Sequence, residues 1–127
     1  IAPTLWYNRL NKKKRRYISM QKYDVYYCDF GKNLGSEQSG LRPCVILQND
    51  KGNKYSPTTI VAPITSATKK KLPTHCELQL EFVHGTVLLE QLRTVDKSRL
   101  IKYCGNIEDS QLQKKIDKLV KTSLGLD

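Results

Sequence analysis

From Tyr23 onward, aromatic, β-branched and other apolar residues come in short runs separated by turn-forming residues, the pattern of an antiparallel β domain. The runs are Tyr23–Phe30, Cys44–Gln48, Thr58–Ile64, His75–Leu80, Thr86–Thr94 and Arg99–Ile107. Between them, Gly31–Pro43 is a long glycine-bearing loop, Asn49–Pro57 is turn chemistry, Lys69–Pro73 is a basic loop and Gly85 marks a turn. Cys44–Gln48 begins apolar throughout, as expected of a strand buried on both faces.

The period changes at the end of the chain. Leu112, Ile116, Leu119, Val120 and Leu124 fall on one helical face, with Asp109 placed to cap the start and Gly125 to close the end. Lys114, Lys115 and Lys118 take the watery side. The expected fold is mainly β with helices: a compact barrel-like sheet with a C-terminal helix packed on it.

A chain of 127 residues suits one domain with one real core. No apolar run is long enough for a membrane span, and no signal-like stretch precedes the domain, so the expected location is cytoplasmic. The net charge of +10 is unevenly spread. Residues 1–22 hold seven of the 22 basic side chains and no acidic one, leaving 15 against 12 over residues 23–127, a net of +3. Residues 1–19 therefore read as a basic arm, disordered or not native to the domain, ahead of a domain over 20–127. Charge alone suggests a polyanion partner only if the positive groups converge on one groove. Cys28, Cys44, Cys76 and Cys104 match no zinc-binding spacing and read as reduced structural thiols.

The specific signal begins at Gly35-Ser36-Glu37-Gln38-Ser39-Gly40-Leu41-Arg42-Pro43, followed by an apolar strand and Gln48-Asn49-Asp50. It continues through Tyr55-Ser56-Pro57-Thr58, Ala62-Pro63-Ile64-Thr65, Leu72-Pro73-Thr74-His75 and Leu89-Glu90-Gln91-Leu92-Arg93-Thr94. In this series the chain resembles the MazF/PemK (Kid) family of toxin ribonucleases, in its Gram-positive branch. The resemblance covers residues 20–126. It implies an SH3-like barrel acting as a homodimer, cutting single-stranded RNA at short motifs without a metal or other cofactor. It also implies inhibition by a cognate antitoxin with a flexible acidic tail. On matching positions it gives Arg42 and Thr65 the catalytic places and the loop Ser36-Glu37-Gln38 an RNA-contacting place. Gln91 falls near the groove and the dimer surface.

The chemistry can be argued from the residues as well. Cutting RNA without a metal uses the substrate's own 2′-OH as nucleophile, and the transition state gathers charge on the phosphate oxygens. Arg42 offers a permanent cation with a planar fork of donors, and Thr65 a hydroxyl at a strand end. Arginine is a poor base, so Glu37 and His75 stand as proton-transfer candidates and that assignment stays open. Lys69, Lys70 and Tyr55 are further RNA-contact candidates, by phosphate neutralisation and base stacking. Two other readings compete: a non-catalytic toxin of the same barrel that binds a protein such as a topoisomerase, and a nucleic-acid-binding module. The stretch Leu80–Thr86 is shorter than the matching hairpin in several relatives, which bears on sequence preference more than on chemistry.

Overall fold

A computed structural model describes residues 20–66 and 70–126. The elements are β1 (Asp24–Asp29), β2 (Leu41–Ile46), α1 (Asp50–Tyr55), β3 (Thr58–Thr65), β4 (His75–Leu80), β5 (Val83–Leu88), β6 (Arg93–Asp96), β7 (Leu100–Asn106) and α2 (Ser110–Leu124). All strand pairs are antiparallel, in the order β4-β5-β3-β2-β1-β7, with β6 also on β3. The sheet curls into a half-barrel, mainly β and capped by one C-terminal helix, in agreement with the expected class. The basic arm over residues 1–19 and Lys69 lie outside the described residues. Among the described residues no helix is long and apolar enough to cross a membrane.

Strand alternation feeds two hydrophobic clusters. Val25, Val45, Ala62 and Ile64 join one, covered by α2 through Ile116 with Leu112, Leu119 and Val120. Tyr26, Cys28, Cys44, Ile46 and Val61 join the other. Cys44, Val45 and Ile46 are all fully buried, so β2 is covered on both faces as its composition predicts. The sheet's two ends meet at Gly105 of β7, where a β-carbon would lie 2.8 Å from the Phe82 ring at the tip of the β4–β5 hairpin. Any side chain at position 105 would have to displace that ring.

The helix behaves as read: Asp109 accepts from Gln111 N and Leu112 N at 2.8 and 3.3 Å, and Gly125 ends it. Its stripe fades at Leu124, which is exposed. A latch ties its outer side to the start of β1. Tyr23, at a positive φ of 73°, donates its hydroxyl to Asp117, and Lys22 pairs with the same carboxylate at 3.3 Å.

Four expectations need correction. Gly85 does not make the turn; it sits inside β5, and the hairpin turns at Glu81-Phe82. Thr86–Thr94 is not one strand, because a 3-10 turn over Leu89–Gln91 separates β5 from β6. The glycine-bearing loop ends at Gly40, since Leu41–Pro43 already pair with Asp29–Tyr27. Asn49–Pro57 contains the short helix α1, capped by Asn49 accepting from Gly52 N at 2.8 Å. There, local turn propensity yields to a buried hub: Asn53 binds Gln48, Thr59 and Lys97 at once.

A candidate RNA-cleavage groove

Strand β3 holds two partners in succession along one edge. Its first half pairs with β6 up to Val61↔Arg93, and its last two residues pair with β5 from Ile64↔Val87. Ala62 and Pro63 fall in the fork, where a residue that cannot donate to a ladder is tolerated. On the other edge, β2 and β3 pair from Ile46↔Val61 to Cys44↔Pro63. Carried on by two residues, that register sets Arg42 opposite Thr65, on the face shared by Cys44 and Pro63. Pairing between the two strands ends two residues short of that point.

Arg42 is half-buried, and its Nε donates to the Ser39 carbonyl at 2.8 Å. No carboxylate lies within ion-pair distance of it among the described residues. Its guanidinium is thus steered from the side while its charge stays uncompensated. Thr65 is only 5% exposed. The approach of β5 behind it is tight, because a β-carbon on Gly85 would lie 2.8 Å from the Thr65 carbonyl oxygen.

The loop 31–40 is held by its own side chains. Asn33 Nδ2 donates to the Phe30 and Gln38 carbonyls at 3.1 and 2.6 Å, and Glu37 accepts from Leu34 N at 2.9 Å. Gln91 then pins it from across the fold: its Oε1 accepts from Gln38 N at 2.9 Å and its Nε2 donates to the Ser36 carbonyl at 3.1 Å. Beneath the loop, at the fork, lies a cavity of about 440 Å³ lined by Phe30, Gln38, Pro63, Glu90 and Arg93 among others. The Arg93 guanidinium stacks 5.2 Å from the centre of the Phe30 ring. Gln38 Oε1 is buried there without a hydrogen-bond partner.

His75 stands on the far side of Glu90, its side chain 8% exposed, and lines a separate pocket with Leu72, Thr86 and Lys115. Its Nδ1 accepts from Leu72 N at 3.1 Å, so the ring proton sits on Nε2, which donates to Glu90 at 3.1 Å. Glu90 also accepts from the Thr74 hydroxyl at 2.8 Å. Behind the groove the buried thiols shift in opposite directions, and a hydrogen bond with Cys44 lowers Cys28. Burial pushes Cys44 well above the usual thiol range and raises Cys76 as well.

A family model described as PemK-like, MazF-like toxin of type II toxin-antitoxin system matches residues 21–124. The chain belongs to the PemK/MazF toxin family. Endoribonuclease MazF of Staphylococcus saprophyticus is 46% identical over 112 residues, covering 84% of this chain and 92% of that protein. Among solved structures, MazF of Deinococcus radiodurans has a TM-score of 0.75 at 23% identity, over 85% of this chain and 98% of its own. A mycobacterial endoribonuclease in complex with its cognate antitoxin has a TM-score of 0.74 at 24% identity, over 86% and 98%. At these identities the two structures speak for the MazF fold.

Within that PemK/MazF frame the sequence candidates divide. Ser36, Glu37, Gln38, His75 and Gln91 are linked around the fork through Gln91 and Glu90, and Arg42 and Thr65, outside the cavity's lining, join the group only through the neighbouring ends of β2 and β3. Tyr55 does not: it is 72% exposed beyond the start of β3, roughly 23 Å along the strand from Thr65 at about 3.3 Å per residue. Lys70 is exposed on the loop before β4. Residue-by-residue reading passed over Arg93, Glu90 and Asn33. The first two stood in plain view inside Leu89-Glu90-Gln91-Leu92-Arg93, where an assumed continuous strand hid them.

Proposed function

We propose that the chain is an endoribonuclease of a type II toxin–antitoxin system that cuts single-stranded RNA through attack of the ribose 2′-OH, with Arg42 and Thr65 gripping the scissile phosphate. The observation that carries the activity is the 46% identity to an endoribonuclease MazF across most of both chains. Support for the two residues is their shared end and face of adjacent strands, and the uncompensated charge on Arg42.

In this reading the 2′-OH gives up its proton as its oxygen attacks the neighbouring phosphorus, and the departing 5′-oxygen takes up a proton, leaving a 2′,3′-cyclic phosphate and a 5′-OH end with no net change in protons. DNA, lacking the nucleophile, is inert. Fixed positive charge beside the pentacoordinate phosphorus is the main source of rate, and the Thr65 hydroxyl orients a phosphate oxygen. His75 spends both ring nitrogens on Leu72 and Glu90, whereas Glu37 commits one carboxylate oxygen to Leu34 N and keeps the other to take the proton. The Ser36–Gln38 loop and Lys70 meet the flanking nucleotides, and the toxin domain runs over residues 20–127. The working species is a homodimer in the cytoplasm, where the RNA is, held in check by a protein antitoxin.

The test is incubation of the purified chain with mixed-sequence RNA in excess EDTA. Cleavage giving 2′,3′-cyclic phosphate ends supports the reading. Binding without cutting, or capture of a protein target with no effect on RNA, overturns it.

A further inference from the structure

The 3-10 turn between β5 and β6 is small, yet four parts of the molecule meet on it. Leu89 is fully buried and anchors the turn in the core beside α2 and β3. The next two side chains reach in different directions. Glu90 takes the Leu72–His75 segment: its carboxylate accepts from Thr74 and His75, and His75 in turn accepts from the Leu72 backbone. Gln91 takes the Ser36–Gln38 segment with both ends of one amide. Two consecutive residues therefore hold two loops that lie more than 30 residues apart in sequence.

We infer that Glu90 and Gln91 act as a two-sided clasp that fixes the Ser36–Gln38 and Leu72–His75 segments relative to one another as the two walls that RNA meets, and thereby sets the choice of nucleotides. This rests on the endoribonuclease reading above. A wall held at two points keeps its shape before RNA arrives, so binding does not have to order it. A loosened wall orders itself around whichever base is offered, which weakens binding and blurs discrimination. Neither residue acts on the scissile phosphate. Both are positioning residues, and each governs its own wall: Gln91 the Ser36–Gln38 side, Glu90 the Leu72–His75 side.

The experiment uses the full chain and short RNAs carrying its mapped cleavage site, with each flanking base varied in turn. Gln91→Ala and Glu90→Ala are each expected to lose about tenfold in discrimination, the order of one hydrogen-bonding group, carried by KM rather than kcat. The two variants should relax different nucleotide positions, and Glu90→Gln, which keeps an acceptor, should recover most of what Glu90→Ala loses. Amide exchange read residue by residue gives a second measure, independent of RNA. Gln91→Ala should speed exchange at Gln38 by about tenfold and spare Leu72, and Glu90→Ala should do the reverse. Unchanged selectivity in an active enzyme, relaxation of one common position, or equal speeding of both amides would overturn the clasp alone. A wild-type chain that leaves RNA intact would overturn the underlying activity, and the selectivity role with it.

Discussion

Gly85 approaches Thr65 so closely that a β-carbon on it would stand 2.8 Å from the Thr65 carbonyl oxygen and 2.9 Å from Ile64 Cγ2. Its φ of 150° is also one that side-chain-bearing residues rarely adopt. Gly85→Ala should therefore push the end of β3 forward. We expect a loss of about 1–3 kcal/mol in stability and a larger proportional fall in RNA cleavage, because the displaced atoms carry Thr65. Urea unfolding beside single-turnover cleavage checks this; unimpaired cleavage in a destabilised variant would separate Thr65 from the chemistry.

Among the described residues the half-buried Arg42 side chain makes one hydrogen bond, to the Ser39 carbonyl. Arg42→Ala should leave stability within about 0.5 kcal/mol, as for other surface substitutions, while cleavage falls by about 10²–10³-fold. Arg42→Lys should recover only part of that, since an ammonium lacks the planar fork. Near-wild-type rates in Arg42→Ala would refute the assignment.

The latch at Tyr23 predicts alkaline sensitivity. Burial and the Asp117 bond raise the Tyr23 phenol above its ordinary range; burial pulls Lys22 down, but Asp117 and Tyr23 outweigh it and the net shift is upward. For both groups the folded state holds its proton more tightly. Their contribution is therefore complete below about pH 10, the unfolded range, and is lost as pH rises through the folded values. Lys97, lowered by burial, works in the opposite sense. Comparing wild type with Tyr23→Phe at pH 8 and about pH 11 cancels Lys97, and the variant should show the flatter stability profile.

Asn53 is 2% exposed and spends its side chain on Gln48 and Thr59, while its carbonyl accepts from Lys97. Asn53→Ala would strand those buried partners and should cost about 2–4 kcal/mol. Thermal unfolding measures it. Because α1 lies at the far end of β3 from Thr65, cleavage per folded molecule should hold.

The regular parts of the fold were legible because period and burial agreed. Strand β1, the doubly buried β2 and the capped helix α2 all follow from alternation or from a helical stripe. What escaped was decided by contacts between distant residues. Gly85 looks like a turn until β3 is laid against it. Thr86–Thr94 looks like one strand until β3 runs out of edge and the chain must step from one partner position to the next. Asn49–Pro57 is written in turn residues, and only the hub at Asn53 makes a helix of it. The site followed the same division. Arg42 and Thr65 stand out as candidates through motifs in register, whereas the bonds of Glu90 and Gln91 reach loops far away in sequence and leave no local signal.

The ring of Phe82 resting on Gly105 joins the two margins of the sheet. Contacts between such remote stretches are rewarded late in folding, after the local ones have formed. Until β7 has been made there is nothing for the hairpin to lean on and no neighbour for the free edge of β1. The finished curl of the sheet thus belongs to the completed chain, and a ribosome partway through its message carries only an open sheet.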